Sequence, residues 1–110
     1  MQNQRLAKLL EYLNEDPHDA FTKYAIALEY ISVDKEKALE YFTKLTIENP
    51  DYIGTYYQLG TLLSALNRKE EAEKFYKKGI DVASQQKDMH ALAELRSALN
   101  KLLGLDYEDD

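Results

Sequence analysis

Few side chains in this chain could carry chemistry. The 110 residues contain two histidines, His18 and His90, and no cysteine, so disulfide frameworks, thiolate metal sites and cysteine nucleophiles are excluded. His90 and Glu94 stand one helical turn apart and could share a metal ion. A site needs at least a third ligand, and His18 lies in a distant loop, so a solvated pair is expected. Ser64, Ser84 and Ser97 have no histidine and carboxylate in an order that suggests nucleophilic catalysis. Gly54, Gly60, Gly79 and Gly104 are isolated within or at the ends of helical stretches, so they build no phosphate loop. The remaining carboxylates are scattered on polar faces, where solvated ion pairs explain them. The expectation is a protein that is not an enzyme and holds no metal and no cofactor.

Charge narrows the partners. Lys and Arg number 14 against 20 Asp and Glu, a net charge of -6. Asp106, Glu108, Asp109 and Asp110 supply four of those anions within the final five residues, and the rest of the chain is nearly balanced. Lysine and glutamate interleave in segments such as residues 68–74, so no basic stripe awaits phosphates and nucleic acid is not an expected partner. Residues 106–110 read as an acidic disordered tail that aids solubility, with an interaction tail as the alternative. The first five residues lead into an amphipathic stretch with no long apolar core and no small-residue cleavage site. Residues 52–67 carry no charge, yet they are too short and too polar for a membrane span. A cytoplasmic location without membrane contact is expected.

The elements that must position these side chains are helices. Leu6, Leu9, Leu10 and Leu13 follow the i, i+3, i+4, i+7 spacing of one apolar face, and Ala72, Phe75, Tyr76, Gly79, Ile80 and Ala83 follow it more cleanly. No window keeps the alternation of a strand. Breakers fall at Asp16-Pro17, Ser32 to Asp34, Asn49-Pro50, Asn67, Gln85 to Asp88 and Gly104. Asn67 followed by Glu70 has capping-box spacing, Asp88 can cap the last helix, and Gly104 suits its exit. Six helices are predicted, approximately 3–15, 19–32, 35–48, 52–66, 69–84 and 88–103. Their short connections make neighbours antiparallel.

The pattern repeats. Ala38, Tyr41, Phe42 and Leu45 recur 34 residues later as Ala72, Phe75, Tyr76 and Gly79. Phe21, Tyr24, Ala25 and Leu28 correspond to Tyr56, Leu59, Gly60 and Leu63 at a distance of 35, which implies one extra residue in the first repeat between Ser32 and Glu36. A period in this range is the mark of stacked helical hairpins, each too one-sided to be stable alone.

The second unit, Tyr56-x2-Leu59-Gly60-x2-Leu63 followed by Ala72-x3-Tyr76 and Gly79, resembles the tetratricopeptide repeat family. The first unit departs more, with Ala25 at the glycine and Leu45 at an alanine. The resemblance implies an all-α fold of antiparallel helix-turn-helix repeats forming a right-handed superhelix, with capping helices at both ends. It divides a single domain, 1–105, into an N-terminal helix (1–17), two repeats (18–50 and 51–84) and a C-terminal capping helix (85–105). Arg96 replaces the small residue that would allow close packing, so the last helix is expected to close the stack. Gly60 is expected to let two helix backbones approach against Ala72.

The resemblance also implies a function, the binding of a partner's peptide or helix in a concave groove lined by the first helices of successive repeats. Carried over to this sequence, the groove residues are Thr22, Lys23, Ile26, Glu29 and Tyr30, then Tyr57, Gln58, Thr61, Ser64 and Ala65. The last helix adds His90, Ala93, Glu94, Ser97, Asn100 and Lys101. The family's best-known mode grips an acidic chaperone tail with Lys and Asn side chains. The matching positions here hold Thr22, Ile26 and Gln58, so a neutral or mixed peptide, or a helix, is expected instead. Two alternatives stay open: an ordinary wet groove, and a homodimer joined by terminal-helix apolar faces at Leu9, Leu13, Leu102 and Leu103. RNA binding ranks last, because no basic or stacking position recurs at the repeat period.

Overall fold

The computed structural model describes residues 3–105, which form six helices. They are α1 (Gln4–Glu15), α2 (Ala20–Tyr30), α3 (Lys35–Glu48), α4 (Gly54–Ala65), α5 (Lys69–Gln86) and α6 (Met89–Leu102). Among the described residues there is no strand. The all-α helical-repeat fold is as expected, and no helix end departs from its predicted place by more than two residues. The acidic tail at 106–110 lies outside the described residues.

Side-chain caps start four of the six helices. Asn3, Asp19, Asp34 and Asp88 accept the backbone N–H of Leu6, Thr22, Lys37 and Ala91 at 3.0, 3.0, 3.2 and 3.1 Å. Asn67 does not open α5 as its spacing suggests. It takes the left-handed conformation, φ 63°, and ends α4, with the Arg68 N–H donating to the Leu63 carbonyl at 2.9 Å. Gly104, φ 74°, ends α6 as expected, with Leu105 N–H donating to the Asn100 carbonyl at 2.8 Å. Lys87 ends α5 at φ 60° and carries a side chain there at a cost of about 1 kcal/mol.

By packing, the chain divides into two compact units, Met1–Tyr52 and Ile53–Asp110. In the first, α2 packs against both α1 and α3. Leu9, Ala25 and Ile26 form a core cluster that Leu6, Leu13, Tyr30 and Tyr41 pack against, while Phe42 and Leu45 of α3 are fully buried. Tyr24 lies edge-on to Phe42 at 6.2 Å and 5.3 Å from Tyr52.

Burial corrects the register predicted for α2. Phe21 is 61 % and Leu28 36 % exposed, whereas Thr22, Lys23, Ile26 and Ala27 are buried. These four repeat as Thr55, Tyr56, Leu59 and Gly60, all buried, at a distance of 33 rather than 35. With α3 and α5 related by 34, the first repeat is one residue shorter between its helices, not longer. The apolar pattern misses the buried row because that row carries Lys23 where the second repeat has the buried Tyr56. The Lys23 stem is buried and its ammonium pairs with Glu48 at 2.8 Å.

In the second unit α5 packs against α4 and α6, which also touch each other. Gly60 makes room for a ring rather than for a backbone near Ala72: a Cβ there would stand 2.6 Å from Tyr76 Cδ1. Gly79 of α5 is a close approach to both neighbouring helices. A Cβ at Gly79 would lie 2.5 Å from Tyr56 Cβ on α4 and 3.1 Å from Leu95 Cδ2 on α6. Arg96 is exposed, as its charge requires.

Candidate functional site

Within the second unit a cleft of about 700 Å³ runs between α4 and α6. Helix α4 contributes Tyr57, Thr61, Ser64 and Ala65, spaced i, i+4, i+7 and i+8. They share the face left free when Tyr56, Leu59 and Leu63 turn to the core. Helix α6 contributes His90, Ala93, Glu94, Ser97, Ala98, Lys101 and Leu102, while Leu92 and Leu95 bury its other side. Tyr76 reaches the cleft from α5.

Its polar groups are arranged rather than scattered. The hydroxyls of Thr61 and Tyr76 share a hydrogen bond of 2.9 Å, in which either can donate. The Tyr57 and Tyr76 rings lie 6.4 Å apart and tilted by 51°. Burial raises the Tyr76 pKa, opposed by the Thr61 hydrogen bond, so the phenol is a neutral hydroxyl around neutral pH. At one end of the α6 wall, His90 Nε2 stands 3.2 Å from Glu94 Oε2. Toward the other end, Lys101 has no ion-pair partner among the described residues.

The residues named from sequence divide by unit. Tyr57, Thr61, Ser64, Ala65, His90, Ala93, Glu94, Ser97 and Lys101 come together in the cleft. Gln58 is half-buried and Asn100 exposed, and neither lines it. The α2 set does not form an open surface. Ile26 is fully buried beside Leu9, and Thr22, hydrogen-bonded to Asp19, is buried with Lys23. Glu29 accepts from Arg5 at 2.8 Å and from Asn3 at 3.1 Å, and Tyr30 stacks on Tyr41 at 5.7 Å. The reason is the shifted register: the face assigned to a groove is the face that packs on α1 and α3. The residues of α2 that repeat the α4 cleft positions are Tyr24 and Leu28, with Leu28 exposed.

Sequence reading missed Tyr76, Ala98 and Leu102 as lining residues. Only Tyr76 carried a signal, because the first repeat has Phe42 at its place, and a hydroxyl added to a core ring implies an end that reaches a polar partner. Among the described residues no group of three or more His, Asp or Glu is placed to hold a metal ion. No described helix is long and apolar enough to cross a membrane. What the cleft offers is aromatic surface, hydroxyls able to bond a polypeptide backbone, one charge pair, and the Lys101 ammonium, which has no ion-pair partner among the described residues.

No curated protein matches the chain. The family model described as tetratricopeptide repeat matches residues 34–95. A tetratricopeptide repeat domain protein from Salinibacter ruber is similar in its solution structure, at 41 % identity over 86 % of this chain and 97 % of that one, with a TM-score of 0.78. Its crystal structure aligns at 40 % identity over 80 % and 100 % of the two chains, with a TM-score of 0.75. A protein from Bordetella parapertussis, 20 % identical over 96 % of this chain and 92 % of its own, shares the fold at a TM-score of 0.80. The repeated helical hairpins, the family model and the Salinibacter relative agree: this chain belongs to the tetratricopeptide repeat family, whose members are in general protein–protein interaction modules.

Proposed function

We propose that the chain is a non-catalytic interaction module that takes a segment of a partner protein along the cleft between α4 and α6. The observation that carries this reading is the lining itself. Tyr57, Thr61, Ser64, Ser97 and Lys101 converge on one cavity of about 700 Å³, within the size of known ligand sites. Tyrosine gives rigid contact area at low entropic cost, and the hydroxyls suit a peptide backbone. Tyr57→Ala combined with Ala93→Arg is expected to reduce capture of the native partner from a cell extract at least about tenfold. Lys74→Glu with Lys78→Glu, on the exposed side of α5, is expected to leave capture unchanged. The opposite ranking, with helicity equal by circular dichroism, would remove the cleft as the docking surface.

Self-association is a second reading, and Leu10 and Tyr12, exposed on α1, are what favour it. Leu9 is buried and Leu13, Leu102 and Leu103 are half-buried, so those four leucines do not make the patch. Light scattering separates the two readings: twice the molar mass of one chain, reverting on Leu10→Lys, is the dimer's signature.

A further inference from the structure

We infer that the cleft selects a mixed-charge segment in polyproline-II conformation, bearing a basic and an acidic side chain three residues apart, the basic one at Glu94 and the acidic one at Lys101. This rests on the cleft being the docking surface. Glu94 and Lys101 both line it, on one face of α6 two turns apart, or about 10 Å. Between them the wall carries only the small Ser97 and Ala98. The facing wall, α4, has no charged residue, so it neutralises neither group. Among the described residues Lys101 has no ion-pair partner and Glu94 pairs only with His90, whose side chain is 84 % exposed. A ligand cation therefore competes for Glu94 with a solvated imidazole, not with a buried partner.

The spacing chooses the ligand's conformation. A polyproline-II segment turns once every three residues and rises about 9 Å in doing so, which returns side chain i+3 to the side of i. The match to the Glu94–Lys101 separation is close. A β-strand would send i and i+3 to opposite sides. A helix would need a seven-residue interval and would hide its own backbone groups, leaving the hydroxyls of Thr61, Ser64 and Ser97 without polypeptide partners. Polyproline-II leaves its backbone donors and acceptors free for them.

The test uses bead-displayed nine-residue peptides with randomised positions around three fixed frames: Lys-x-x-Glu, Glu-x-x-Lys and Gln-x-x-Gln. The purified full-length chain is expected to enrich one charged frame about tenfold over the other two, since reversing the order turns two rim attractions into two repulsions. The frame it enriches reports the direction in which the peptide runs. The double reversal Glu94→Lys with Lys101→Glu, both at exposed positions and checked for helicity, is expected to invert the preference. An unchanged preference in the reversed variant overturns the inference. Equal enrichment of Gln-x-x-Gln that Tyr57→Ala abolishes overturns it too, while sparing the cleft. Enrichment that Tyr57→Ala leaves untouched removes the docking surface and the inference together.

Discussion

At the scale of single residues, Lys23 does most to distinguish the two repeats. Its ammonium and hydrogen bond hold the Glu48 carboxyl below the ordinary carboxylate range. Glu48 is about half exposed, so solvent screening limits the pair to less than about 1 kcal/mol. A depressed folded pKa gives stability that is whole above the unfolded carboxylate pKa and fades as pH falls through the lowered folded value. Glu48→Gln is therefore expected to lower stability near neutral pH by up to about 1 kcal/mol. It should equal the unaltered protein once Glu48 is protonated. Urea unfolding over a pH series reads this directly, and a gap constant down to acid pH would place the effect elsewhere. Lys23 also shows why part of the site could not be read in advance. A lysine in a sequence looks available, and nothing in its spacing announces a buried stem with a partner on the next helix.

At the scale of elements, periodicity and breakers were sufficient for six helices, because each keeps one apolar face and three of the caps are aspartates in standard positions. The rotation of a helix about its axis is harder to read. On α2 the apolar Phe21 and Leu28 face outward while Thr22 and Lys23 face inward, so a pattern search locks onto the wrong pair of rows. On α4 and α6 the apolar rows are the buried rows, and their cleft residues were legible for that reason. Glycine roles followed the same divide. Gly60 was recognised as a contact point but given the wrong neighbour, since facing partners are set by packing rather than by spacing. Gly79→Ala should improve helix propensity by up to about 1 kcal/mol, yet the new methyl would meet Tyr56 Cβ, which is anchored to backbone. Overpacking costs about 1–3 kcal/mol, and the short distance places this case at the upper end. A net loss of about 2 kcal/mol in denaturant midpoints is expected. A gain would mean that α4 and α5 separate freely.

For the whole molecule, the main helix contacts join elements adjacent in the chain, with α4 and α6 as next-neighbours. Such local topology predicts refolding in milliseconds or faster, because little loop entropy is lost before contacts form. Stopped-flow fluorescence of the tyrosines would show it, and a dominant phase of seconds would contradict it. Tyr56 on one wall helix and Leu95 on the other both press on Gly79 of α5. The aperture is thus gauged from behind, at a backbone atom that nothing entering from the front can touch. A substitution there would re-size what is admitted while every contacting side chain kept its identity, and a survey confined to the lining would overlook it.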